Sequence, residues 1–129
     1  LEHLDKEEAD VFFDESYRVL KSNGILRIAV PDFQHLIDKY IIDQNVEHFI
    51  ANSHLVGKKP KNVLKKLQYL IQGHGWHHQM FNQNSIKSLE EYKFSQVSVL
   101  KAGKTNANFN LSLDLNERSQ ESIYFELIK

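Results

Sequence analysis

Tyr17-Arg18-Val19-Leu20-Lys21-Ser22-Asn23-Gly24-Ile25-Leu26-Arg27-Ile28-Ala29-Val30-Pro31-Asp32 contains the change of period that decides the fold. Ahead of it, Ala9, Phe12, Phe13, Ser16, Tyr17 and Leu20 recur at the spacing of one helical face. Asp5 is placed to cap that helix, and Glu8 completes an acidic capping box. Asp14 and Arg18 lie one turn apart with the acid first, the favourable order along the helix dipole. Arg18 and Lys21 fill the last turn, and Gly24 after Asn23 is expected to supply the left-handed stop. From Ile25 to Val30 only Arg27 is polar. A short apolar run without alternation is the pattern of a strand covered on both faces, as strands of parallel sheets are. Pro31 and Asp32 end it. Helix, turn and strand make the second half of a strand–helix–strand unit whose first strand is expected before Leu1.

Downstream the period is helical again. Asp32 is placed to cap a helix over Phe33–Ile42, with Phe33, Leu36, Ile37, Tyr40 and Ile41 on one face. A second helix is expected from Val46 to Leu55, stopped by Gly57. A third carries Val63, Leu64, Leu67, Leu70 and Ile71. Lys58, Lys59, Lys61, Lys65 and Lys66 crowd that third segment and read as a solvated helix face. The interval from Pro31 to Ser85 is long for a plain crossover, so residues 33–78 are expected to form a helical insertion over the sheet's carboxyl edge. Beyond it, Ser85 is placed to cap a helix carrying Ile86, Leu89 and Tyr92. Val97, Val99 and Leu100 read as a strand and Lys101–Asn108 as a loop. Phe109, Leu111, Leu113 and Leu115 alternate with polar neighbours, and Ile123–Ile128 forms a final strand.

The most unusual chemistry lies in Gly73-His74-Gly75-Trp76-His77-His78-Gln79-Met80-Phe81. Clustered histidines beside glycines, which allow close backbone approach, serve as metal ligands, as proton-transfer groups, or simply as surface residues. A metal needs a further carboxylate or histidine from elsewhere. His77 and His78 are adjacent, so in extended backbone they point to opposite sides and at most one faces a site. Asp32 sits just past the end of its strand, the edge where open α/β sheets bind ligands.

Composition narrows the field. The chain has 129 residues, enough for one domain, with 41% hydrophobic and 26% charged residues, ordinary values for a globular protein. A net charge of −1 gives no general attraction to nucleic acid or to anionic membrane, and neither is expected as a partner. With no cysteine, disulfides, thiolate metal sites and a cysteine nucleophile are excluded. No apolar run approaches the ~20 residues of a membrane span. Nothing resembles a signal peptide, so a cytoplasmic location is expected. The first residue is Leu1 and the only methionine is Met80, which is expected of a portion of a longer chain.

Leu1-Glu2-His3-Leu4, the Tyr17–Lys21 helix end, Asn23-Gly24 and Leu26–Asp32 together resemble the second half of a class I S-adenosylmethionine-dependent methyltransferase. Ser85–Leu89 is similar to the family's late helix and Glu121–Glu126 to its final strand. Ser22-Asn23-Gly24 stands where Pro-Gly-Gly is usual, and Tyr92-Lys93-Phe94 lacks the glycine of the usual Ala-Gly-Phe. The resemblance implies an α/β fold: the carboxyl-terminal part of a Rossmann-like methyltransferase sheet, its fifth to seventh strands with the last one antiparallel. Residues 1–129 would then be a single partial domain with the helical insertion at 33–78. It implies S-adenosylmethionine as cofactor and a small-molecule acceptor. Glu2 and His3 would lie on the cofactor side, unless they merely precede the first helix. Asp32 and Trp76 would face substrate, and His77 or His78, or else His3, would act as base; no metal is implied. The family's glycine-rich loop and ribose-binding acid belong to earlier strands. Gly73-x-Gly75 does not replace that loop, because it neither follows a strand nor opens a helix. The expected partner is therefore the amino-terminal half of the same protein, or a second copy. The alternative is a non-catalytic remnant that acts only as an association or scaffold module.

Overall fold

Helix α1 (Lys6–Val19) begins as its sequence dictates: the Asp5 carboxylate accepts from the Glu8 N–H at 2.9 Å, and the Glu8 carboxylate accepts from the Asp5 N–H at 3.0 Å. The computed structural model describes residues 1–55, 76–107 and 119–129. The expected third helix with its lysines, Gly57, the Gly73–Gly75 stretch and the Phe109–Leu115 alternation lie outside them. Ala9 and Phe13 are the buried positions of α1. Arg18 pairs with Glu15 at 2.8 Å instead of the expected Asp14, which meets Lys93 at 3.4 Å.

The turn after α1 is built differently from its expected form. Asn23, with φ of 61°, is the left-handed residue, and Gly24 is not. Gly24 is needed for space: a Cβ there would stand 2.7 Å from the Lys21 carbonyl oxygen, which accepts the Gly24 N–H at 2.8 Å. The last residue completes the turn. Lys129 donates from Nζ to the carbonyls of Tyr17 at 2.6 Å and Leu20 at 2.8 Å, so a cation satisfies the exposed end of the helix.

Strands β1 (Ile25–Pro31), β2 (Gln96–Leu100) and β3 (Ser122–Ile128) form one sheet in the order β1-β3-β2. Both pairings are antiparallel. The fold is thus mixed α/β, with a small antiparallel sheet and helices. β1 pairs with β3, the last strand, which was expected to be antiparallel; β1 runs parallel to β2 with β3 between them, and among the described residues β1 pairs with β3 alone. Leu26, Ile28 and Val30 align with Leu127, Phe125 and Ile123 on one face, packed with Phe13 and Tyr17 of α1 and with Leu20 just after it. The other face carries Arg27 against Glu126 and Tyr124, while Ala29 is exposed. Tyr124 and Glu126 are buried on that face, so it too is covered over β3 and is open only towards Ala29.

Helix α2 (Phe33–Asp43) is capped by Asp32, whose Oδ1 accepts from the Gln34 N–H at 2.9 Å. Helix α3 (Val46–Ser53) stops two residues short of the expected Leu55, because His54 takes the left-handed conformation at φ 53°. The two pack through Tyr40 and Phe49, with ring centroids 5.3 Å apart. Helix α4 (Gln83–Lys87) runs into a 3₁₀ turn, Ser88–Glu91. Its cap is Asn82 instead of Ser85, which sits inside the first turn and closes a reciprocal box by accepting from the Asn82 N–H at 2.8 Å. Among the described residues no helix is long and apolar enough to cross a membrane.

Candidate functional site

The carboxyl end of β1 opens into a cleft of about 320 Å³ between the start of the chain, α2, the end of α3 and the segment around His77. Glu2, His3, Asp32 and His77 line it, so four of the six residues singled out in the sequence come together. Backbone pairing explains how residues so distant in sequence meet. The N–H groups of His78 and Gln79 donate to the Glu2 carbonyl at 2.7 and 3.1 Å, and the Gln79 side-chain amide donates to the carbonyls of Leu4 and Asp5. Phe81 bridges Asp32 and accepts from the Phe33 N–H at 2.9 Å. The His77 N–H donates to the His54 carbonyl at 3.2 Å. The segment 77–81 therefore ties the chain start, α3 and the strand end into one wall.

Adjacent side chains diverge as an extended segment requires. His77 is half-buried and faces the cleft; His78 is exposed and borders a separate depression against α1 and α4. Trp76 is half-buried and does not line the cleft, but its carbonyl accepts from His3 Nδ1 at 3.1 Å. Because a carbonyl can only accept, His3 donates from Nδ1, and its Nε2 stands 3.7 Å from Glu2 Oε1. Asp32 holds two positions at once, cap of α2 and wall of the cleft.

The imidazole rings are stacked in a row. His77 lies 5.0 Å from His3 and 5.2 Å from His54, centroid to centroid. Burial pushes the His77 imidazole below its usual range; Glu2 opposes this, while His3 and His54 reinforce it.

His35, Lys39, Ser53 and His54 also line the cleft and were not singled out in the sequence. Ser53 is buried and anchors the corner, its Oγ donating to the Ile50 carbonyl at 2.9 Å. The signal for His54 is faint: a residue at the end of the α3 stripe that leaves the helix in the left-handed region. The arrangement offers the carboxylates of Glu2, Asp32 and Glu121, several imidazoles, and an apolar lining of Phe33, Leu36 and Met80. It suits a small polar molecule. Among the described residues no glycine lines the cleft. Comparison with protein-family models, curated proteins and solved structures gives no match for this chain.

Proposed function

We propose that this chain is the acceptor-side portion of an S-adenosylmethionine-dependent methyltransferase, and that the cleft at the end of β1 receives a small-molecule hydroxyl or amine. The observation that carries this reading is the convergence of Glu2, His3, Asp32 and His77 at the carboxyl end of one strand. A second support is the sheet itself. The last strand runs antiparallel between two strands that are parallel to one another, the order that the resemblance implies for the end of a methyltransferase sheet.

The cofactor would supply an electrophilic methyl group on a sulfonium. The described residues fit the acceptor and not the whole cofactor, whose glycine-rich cradle would come from strands ahead of Leu1. Within the cleft, methyl transfer asks mainly for alignment, to which the hydrogen-bonded 77–81 wall contributes. His77 is the group placed to take the acceptor's proton, and Glu2 is placed to hold the positive charge that results. His78, directed away from the cleft, has no such role here.

The test is a screen of hydroxyl and amine compounds for release of S-adenosylhomocysteine by the protein in its natural full length. With any accepted compound, His77→Ala should lower turnover by about 10²-fold or more, while S-adenosylmethionine affinity and the His78→Ala variant stay near wild type. Equal turnover of the two variants would remove His77 from the chemistry. The second reading, a non-catalytic association module, is favoured by a different observation: the outer edge of β1 has no paired strand among the described residues.

A further inference from the structure

We propose that Glu2, His3 and His77 form a binding site for a divalent transition-metal ion, zinc in the first instance, with its remaining coordination position open to the cleft. One ligand atom from each residue lies within 4.8 Å of the others. Glu2 Oε1 and His3 Nε2 are already 3.7 Å apart. An ion with four bonds of about 2.0–2.1 Å holds its donors roughly 3.3–3.4 Å from each other. Glu2 and His3 are therefore within a few tenths of an ångström of that spacing.

The groups behind the ligands point the same way. His3 spends Nδ1 on the Trp76 carbonyl. The His3 ring is thus held by one nitrogen and keeps the other for an ion, the usual support of a ligating histidine. Glu2 and His77 belong to segments already joined through the Glu2 carbonyl, so most of the ordering cost of bringing the ligands together is met by the fold. Two neutral imidazoles and one carboxylate suit zinc and its neighbours; calcium and magnesium prefer more oxygen. An ion here takes the His77 lone pair that would otherwise accept a proton. Its own Lewis acidity would then lower the pKa of a coordinated hydroxyl in place of the imidazole.

The inference goes beyond the proposed methyl transfer and is tested without it. The full chain is stripped with a chelator and titrated with zinc by calorimetry, and with cobalt(II) by visible absorption. One ion per chain is expected, with the intense cobalt bands of four-coordination. Groups that only support a ligand change metal affinity 10–100-fold, so Glu2→Gln, His3→Ala and His77→Ala should each weaken binding by at least about tenfold. His35→Ala and His78→Ala should not. Far-UV circular dichroism of each variant checks its fold, and His3, being half exposed, is the ligand whose loss disturbs packing least. Absence of saturable binding, binding retained in the folded His3→Ala protein, or an equal loss in His78→Ala would overturn the assignment.

Discussion

Arg27 and Glu126 face each other across β1 and β3, Nη1 to Oε1 at 2.8 Å, on the sheet face opposite α1. Glu126 is fully buried and accepts in addition from Thr105 Oγ1 and from the Asn106 N–H at 2.8 Å. Arg27 also donates to the Lys104 carbonyl. The pair pins the loop after β2 onto the sheet. Burial raises the Glu126 carboxyl, but those three donors outweigh it and hold it below its ordinary value of 4.5.

The sign of the pH effect follows. A carboxyl depressed in the folded state contributes stability that is fully present above 4.5 and is lost as pH falls through the lower, folded value. Urea melts stepped down from neutral pH should show that acid limb. Glu126→Ala, which leaves Arg27 buried without its counter-charge, should cost about 3–5 kcal/mol at neutral pH and flatten the limb. An unchanged acid limb in the variant would place the pH dependence elsewhere.

The turn at Asn23 and Gly24 separates two kinds of backbone demand. Asn23→Gly should be neutral or stabilising and Asn23→Ala should cost about 1 kcal/mol, because only a left-handed φ is required there. Gly24→Ala should cost about 1–3 kcal/mol, because the added methyl meets a carbonyl and not merely a disfavoured φ. Chemical denaturation of the three variants ranks them. The reverse order would contradict this division.

Parts of this structure were legible because their causes are local. The Asp5–Glu8 box, the Asp32 cap and the final strand each need only neighbouring residues. Arg27 looked like a single interruption in an apolar run because its partner, Glu126, stands at the far end of the chain. Asn82 displaced Ser85 as cap because both side chains suit the position and only the helix axis chooses between them. In the cleft, Asp32, Glu2, His3 and His77 could be singled out by residue type and context. His54 could not, since its place depends on a left-handed turn that nothing in its neighbours demands.

Self-association should follow from the sheet edge. β1 pairs on one side only among the described residues, its Pro31 lies at the very end, and Ala29 is exposed. Val11 and Val19 of α1 are also exposed, at 63% and 65%. An unprotected edge of this kind recruits another strand, and a lysine is the common protection. Sedimentation velocity at low micromolar concentration should therefore show dimers or larger species, shifted towards monomer by Ala29→Lys. A monodisperse wild-type monomer with cooperative unfolding would show that the edge is already covered.

The most direct measurement is calorimetric titration of S-adenosylmethionine into two proteins, the 129-residue chain and its natural full-length form. If the cleft is the acceptor side of a methyltransferase, the full-length protein binds the cofactor with micromolar affinity, and the 129-residue chain binds it weakly or not at all. No binding by the full-length protein, or micromolar binding by the shorter chain alone, would contradict that assignment.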